Sequence, residues 1–286
     1  MVDLAFRILN VFAIDGDRFS GNPLCVFEDG RALDDAAMQA LALQFNLSET
    51  TFLLPSSAPE ATARVRIFTP SFEMPFAGHP TLGTAHVARS VLGAGDRVTL
   101  EMKAGLVEVT ARRDEWTLRT ARPPTARAHD VPRADIAAML RLPEGAIESE
   151  PTWVDTGSEQ LVIPLTSVEH VRAARPEPEP LDRLARSPAR GDSLAYVWAR
   201  ASADEIVARF FFLAAGGVRE DPATGSACAN LGGWMIATGA PLPLRVRVRQ
   251  GDAVKRPSIL GLQVDSEKRV FVGGLVTEIA RGTLTL

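Results

Sequence analysis

The chain has 286 residues, of which 46% are hydrophobic and 23% are charged, and its formal net charge at pH 7 is −4. This length suits one large domain or two ordinary ones, and the composition is that of a globular protein with ample material for more than one core. Lysine and arginine are scattered rather than grouped on one stripe, so the sequence does not predict binding to nucleic acid.

The two cysteines, Cys25 and Cys228, are too few for a disulfide framework or for a zinc site built on cysteine pairs. The N-terminal segment 1–16 is apolar but interrupted by charges, and it has no basic region and no cleavage site. It therefore predicts a first strand and not a signal peptide. The longest apolar run, at 210–218, is far below the roughly 20 residues that a membrane helix needs. We expect a cytoplasmic protein with no membrane partner.

The first clear helix lies at 34–46, where acidic residues open the segment and apolar residues fall on one face. The sequence LSETTFLL follows at once and places Glu49 at a helix-to-strand junction. Alternation of charged and apolar residues predicts a strand at 63–70, and three short antiparallel strands at 96–121. Two stretches rich in proline and charge, 121–135 and 174–192, indicate breaks in this pattern. The first is the better domain boundary, and we expect the second to lead into or surround a surface helix within the later domain.

One arrangement occurs twice in the chain. Pro80-Thr81-Leu82-Gly83 and Pro222-Ala223-Thr224-Gly225 each follow a strand and open a helix of small residues, and an antiparallel meander comes after each of them, the second at 244–274. The two loops lie about half the chain length apart. This spacing favours two copies of one unit, each a sheet curled around a central helix, with chance similarity as the alternative.

The two helix starts are candidate anion sites. A helix N-terminus has unpaired N–H groups and a partial positive charge, so two of them facing each other would hold a carboxylate. Plain capping of each helix is the alternative, in which case His79 and Ser226 would only cap or pack.

Five blocks of the sequence resemble the signature blocks of the phenazine-biosynthesis isomerase-like (PhzF-like) family, in the family's order and over nearly the whole chain. These blocks are DRFSGNPLCVF (17–27), NLSETTFLLP (46–55), RIFTPSFEMPFAGHPTLGTAHV (66–87), EDPATGSACANLGGWM (220–235) and QGDAVKRPSILGLQV (250–264). The segment 250–258 is similar to the family without suggesting a chemical role.

The resemblance implies an α+β fold of the diaminopimelate epimerase type, with the active site between two pseudo-symmetric domains. Each domain would be a mostly antiparallel β-barrel wrapped around a central α-helix. The implied domains are 1–122, joined by a C-terminal strand at 276–286, and 128–275. A homodimer is also implied.

Epimerase and racemase relatives of this fold use two cysteines, one at each helix start, as base and acid. The corresponding positions here are Ala77 and Pro222, which cannot transfer a proton. The resemblance instead implies that Glu49 transfers the proton, although from the residues alone it would be a surface acid. Such a donor needs a pKa raised by burial or by a like charge. The implied catalytic set is Glu49, His79, Asp221 and Ser226, and the implied substrate-binding set is Asn22, Gly78, Thr81, Thr224 and Gly225.

The sequence predicts neither a metal nor a cofactor. His79 and His86 lie two helical turns apart, too far to form one metal site without outside ligands. No phosphate-binding or dinucleotide-binding glycine pattern occurs between a strand and a helix. Our first hypothesis is therefore a cofactor-independent isomerase that moves a proton on a small carboxylic acid, like the dihydro-hydroxyanthranilate isomerase of phenazine biosynthesis. The second is a non-catalytic protein of the same fold that binds a small carboxylate or has a regulatory role.

Overall fold

The computed structural model describes residues 1–214 and 216–286, and the chain forms two compact units. The first unit consists of Met1–Arg119 with Gly273–Leu286, and the second of Thr120–Val272. Within the described residues, no helix has both the length and the apolar character needed to cross a membrane.

The first unit is a ring of eight strands. The long last strand of the chain pairs with β1 on one side and with β8 on the other, which closes the ring. Between them the order runs β1, β2, β3, β4, β6, β7, β8, and pairing is antiparallel except for β2 with β3 and β4 with β6. The elements are β1 (Asp3–Ala13), β2 (Asn22–Phe27), α1 (Asp35–Phe45), β3 (Glu49–Leu54), β4 (Ala63–Phe68), β5 (Glu73–Met74), α2 (Gly78–Val91), β6 (Arg97–Met102), β7 (Gly105–Arg112), β8 (Glu115–Arg119) and, after the second unit, β17 (Val270–Thr285).

Helix α2 lies inside this ring and packs against its strands. Its small residues are required by the close approach of the wall: a Cβ atom added at Gly83 would lie 2.5 Å from Leu24 Cδ2. The buried hydroxyl groups of Thr51 and Thr84 lie 2.8 Å apart and form a hydrogen bond, so this polar pair is satisfied inside the core. The predicted buried helix is therefore confirmed.

Helix α1 connects the parallel strands β2 and β3. Asp34 caps its first turn by accepting a hydrogen bond from the Ala37 amide at 2.8 Å, and Asn46 ends it in the left-handed conformation. Its buried face, which includes Met38, packs in one apolar cluster with Phe27 and other buried residues. The helix predicted at 34–46 is confirmed, and its end fixes where β3 begins.

The second unit repeats the pairing order of the first. Its strands run β9, β10, β11, β12, β13, β15, β16, antiparallel except for β11 with β12 and β13 with β15. The elements are β9 (Thr125–Ala128), α3 (Arg133–Met139), a 3₁₀ turn (Glu144–Ala146), β10 (Thr152–Asp155), β11 (Gln160–Pro164), α4 (Val168–Ala173), α5 (Pro178–Ala185), β12 (Leu194–Arg200), β13 (Glu205–Ala214), β14 (Gly217–Asp221), α6 (Gly225–Ala237), β15 (Leu244–Gln250), a 3₁₀ turn (Asp252–Val254) and β16 (Ser258–Val264).

Helix α6 corresponds to α2, because each follows a short strand, lies against the surrounding strands and has a mostly buried surface. The internal repeat predicted from the two loops is thus confirmed by the pairing order, and so is the α+β class. The stretch 121–135 is not a simple break, since it contains β9 and the start of α3. All four residues of β9 are exposed, so no hydrophobic alternation in the sequence marks this strand.

Candidate active site

Glu49 is the first residue of β3 and is placed by the end of α1. The left-handed residue Asn46 turns the chain out of the helix, and Glu49 then lies opposite Leu24 in the parallel register of β2 and β3. Its side chain is 15% exposed. The carboxyl group is therefore largely withdrawn from water.

His79 is the second residue of α2, and its Nδ1 atom lies 3.3 Å from Glu49 Oε2. Burial lowers the pKa of His79 from its usual 6.5 to about 3, against the opposing effect of a backbone hydrogen bond with Pro23. Burial prevails because the ring is 5% exposed. The contact therefore joins a carboxyl group to a neutral imidazole near pH 7 and is not an ion pair of opposite charges.

The buried neutral state of His79 makes stability depend on pH. The unfolded chain binds a proton at this residue below about pH 6.5 and the folded chain does so only near pH 3, so this contribution is complete above pH 6.5 and decreases as the pH falls. From pH 7 to pH 5, wild type should lose about 2 kcal/mol of unfolding free energy relative to His79→Gln. Urea denaturation of both proteins at the two pH values measures this change. An unchanged difference between them would contradict the neutral buried state.

The other predicted residues of the first unit differ in their surroundings. Asn22 begins β2, is 1% exposed and accepts a hydrogen bond from Ser48 Oγ at 3.2 Å. Gly78 is the first residue of α2. Thr81 is fully buried, and its hydroxyl donates to the Ala77 carbonyl at 2.6 Å. The Thr81 proton is thus used inside its own helix, which supports the structural alternative for this residue.

In the second unit, Asp221 and Thr224 form a hydrogen-bonded corner between β14 and α6. Thr224 Oγ1 donates to Asp221 Oδ2 at 2.5 Å. Gln250 Nε2 donates to the Asp221 carbonyl at 2.9 Å and to Thr224 Oγ1 at 3.0 Å. Gln250 is 1% exposed and lies in the 250–258 segment, for which the sequence suggested no role. The segment therefore supports the corner.

Ser226 lies in the first turn of α6, next to Gly225, and is half-buried. Its Oγ accepts a hydrogen bond from Gln160 Nε2 at 2.9 Å, and Gln160 in turn contacts the buried Asn230. Gln160 and Asn230 were not predicted from the sequence. The only indication in the sequence was their polarity: Gln160 begins the otherwise apolar strand β11, and Asn230 lies among small and apolar residues in α6.

Neither helix begins beside a thiol. Ala77 is the N-cap of α2, and Pro222 precedes α6 by three residues. Cys25 and Cys228 are buried in β2 and α6, and burial raises the pKa of both thiols. Neither is ionised near neutral pH. In the described part of the chain, no three His, Cys, Asp or Glu side chains are grouped as metal ligands would be.

The second unit has two clefts, one at the far end of α6 from Ser226 and one beside Gln250. The larger, of about 480 Å³, is lined by Trp234 and Thr238 at the end of α6 opposite to Ser226, so its size does not make it part of the predicted site. The smaller, of about 230 Å³, is lined by Gln250 and by Arg209. Arg209 is held there by Glu220 at 2.6 Å and is not free for an anion.

Comparison with known proteins gives consistent matches. The family model described as "Phenazine biosynthesis-like protein" (PhzC-PhzF) matches residues 9–282. An uncharacterized isomerase of Pasteurella multocida is 37% identical, over 98% of this chain and 93% of the relative. A trans-2,3-dihydro-3-hydroxyanthranilate isomerase of Pseudomonas fluorescens is 31% identical, over 93% of this chain and 94% of the relative. The crystal structure of a PhzF-family phenazine biosynthesis protein from Bacillus anthracis has a TM-score of 0.85 and 21% identity, and covers 100% of both chains.

Proposed function

The chain belongs to the phenazine biosynthesis-like family, PhzC-PhzF, and is an isomerase, and we propose that it moves a proton on a small carboxylic acid by acid/base catalysis without a cofactor. One observation carries the catalytic part of this proposal: the largely buried Glu49 carboxyl group lies 3.3 Å from the ring of a buried histidine, His79. The family resemblance predicted from the five sequence blocks is confirmed by the match.

In the proposed reaction, the Glu49 carboxylate takes a proton from one carbon of the substrate, and its acid form returns a proton to another carbon. The electron pair of the broken C–H bond enters the conjugated system, and a double bond shifts as the second C–H bond forms. No electrons leave the substrate, so the reaction needs no oxidant. Neutral His79 lies beside the carboxyl group without holding it in a permanent ion pair, so the carboxyl group can both take up and release a proton.

Some of the other predicted residues are proposed to bind the substrate. The first N–H groups of a helix have no acceptor within the helix, so the amides near Gly78 in the first unit, and likewise those near Gly225 in the second, are each proposed to bind a carboxylate oxygen. Asp221, fixed by Thr224, would orient an amine or hydroxyl group.

A binding protein of the same fold is the second candidate, and the charges weigh against it. A carboxylate in a site for an anionic ligand opposes binding, because like charges repel more strongly away from water. A site that only binds gains nothing from such a residue, whereas an enzyme that moves a proton needs it. Glu49 therefore favours the isomerase.

The test is proton NMR of trans-2,3-dihydro-3-hydroxyanthranilate in D₂O with wild-type protein, before and after dialysis against EDTA. We expect the double bond to migrate, solvent deuterium to enter at carbon, and EDTA to leave the rate unchanged. Binding of the compound without exchange, extended to a panel of small carboxylates, would favour the binding protein. Loss of activity in EDTA that an added metal restores would refute cofactor independence.

A further inference from the structure

A chain of buried amides runs from the backbone to Ser226, and its first member is Asn230, which is fully buried in α6. Asn230 Oδ1 accepts from the backbone N–H of Thr156 at 2.9 Å and from Thr156 Oγ1 at 2.7 Å. Asn230 Nδ2 donates to the Ser158 carbonyl at 2.8 Å. A backbone N–H only donates and a backbone carbonyl only accepts, so these two contacts fix which end of the Asn230 amide is oxygen.

The orientation of the Asn230 amide fixes that of the second member, Gln160. Asn230 Nδ2 also donates to Gln160 Oε1 at 3.0 Å, so the Gln160 oxygen faces Asn230 and its Nε2 faces Ser226. Gln160 is 2% exposed, and water does not compete at this amide. The Ser226 oxygen therefore accepts a hydrogen bond from Gln160, and its own hydroxyl proton remains available for another acceptor. Ser226 donates to no group in the residues that the structure describes.

We propose that Asn230 and Gln160 are positioning residues that make Ser226 a hydrogen-bond donor to an acceptor oxygen of the substrate, a carboxylate or carbonyl and not an ammonium group. The step from Ser226 to the substrate rests on the proposed function. The step from the backbone to Ser226 rests on the hydrogen bonds alone. A purely structural role for the two amides would leave the direction of the Ser226 hydroxyl without effect on substrate affinity.

The Gln160→Glu variant tests the direction of the hydroxyl with little change of shape. Asn230 still donates to one oxygen of the new carboxyl group, and the other oxygen faces Ser226. The protonated acid donates a hydrogen bond to Ser226 as Gln160 does. The ionised carboxylate instead accepts a hydrogen bond from the Ser226 hydroxyl, which is then no longer available to the substrate. Burial raises the pKa of such a carboxyl group, so ionisation begins above its ordinary range.

The expected result is a pH-dependent KM for trans-2,3-dihydro-3-hydroxyanthranilate. Gln160→Glu should keep nearly the wild-type KM at pH 5 and show a KM raised by about 10- to 100-fold at pH 8, the effect of one lost hydrogen bond to a charged group. Wild type should lack this step. The step should also be absent when Gln160→Glu is combined with Ser226→Ala, because the hydroxyl through which it acts is gone.

If Gln160→Glu does not fold, a second variant also turns the group that faces Ser226 from a hydrogen-bond donor into an acceptor. In Asn230→Asp the ionised side chain cannot donate to Gln160, so the Gln160 amide turns over and presents its oxygen to Ser226. The same rise in KM is expected at pH 8. An unchanged KM in the variant that folds, or a pH step that persists with Ser226→Ala, would overturn the proposal.

A substrate-free measurement separates this proposal from the proposed function. In ¹⁵N-labelled wild type, the side-chain NH₂ signals of Gln160 and Asn230 should exchange slowly with water, and Ser226→Ala should shift the Gln160 signal. If these signals behave so while no carboxylate is converted or bound, the positioning network stands and the proposed function fails. Rapid exchange of both NH₂ groups in an active enzyme would refute the positioning network alone.

Discussion

Glu49→Gln should lower the turnover number for trans-2,3-dihydro-3-hydroxyanthranilate by about 10²- to 10⁴-fold, the usual contribution of a general acid or base. Glutamine has nearly the same shape and keeps a polar group beside His79, so α2 and β3 should keep their packing. It can neither take a proton from carbon nor return one. KM should stay the same or fall, because the variant removes an interaction that acts in the transition state and also a charge that repels an anionic substrate. Initial rates of deuterium incorporation by NMR measure the effect.

Glu28→Gln is a matched control in the same unit. The Glu28 side chain is 23% exposed and contacts Arg7, so it is also a withdrawn carboxyl group, but it has no part in the proposed reaction. Its turnover number should stay within about twofold of wild type, even if the loss of the ion pair reduces stability by roughly 1 kcal/mol. A Glu49→Gln protein that retains a tenth or more of the wild-type rate would remove Glu49 from its catalytic role.

The parts of the fold that the sequence predicted are those with a local pattern. Helix α1 has an acidic start and an apolar face, and the meanders have alternating residues and turn residues, so each pattern is complete within a dozen residues. Strand β9 has no such pattern because it pairs along one side with β10 and stays exposed. The closure of the first ring by β17 joins the two ends of the chain, which no local window contains.

The candidate site was predictable mainly through the family resemblance. From the residues alone, Glu49 is an ordinary surface acid, whereas in the structure it is largely buried with His79 beside it. The bonds from Gln160 to Ser226 and Asn230 connect a strand with a helix more than sixty residues later. Such pairs depend on how the helix packs against its surrounding strands, and hydrophobic periodicity carries no information on that packing.

The loop after β15 contains a second residue with a large expected effect. Gly251 has φ of 85°, and a Cβ atom there would lie 2.2 Å from the Arg256 carbonyl oxygen and 2.5 Å from that of Pro222. Both oxygens belong to the backbone, so no side-chain rotation relieves the contact. The only relief is a movement of the chain, and the adjacent residue Gln250 holds the corner formed by Asp221 and Thr224. A stability defect and an activity defect should therefore appear together.

Gly251→Ala should lower the unfolding free energy by about 2 to 5 kcal/mol, the sum of the left-handed backbone strain and the overpacking. Gly239→Ala is the matched control, because Gly239 has φ of 75° and nothing within 4 Å of the added Cβ. It should lose only about 1 to 2 kcal/mol, the strain alone, and keep its activity. Urea denaturation and initial rates measure both variants. Equal losses in the two would mean that backbone strain alone matters at Gly251, whereas the larger loss with reduced activity would tie the 250–258 segment to the Asp221 corner.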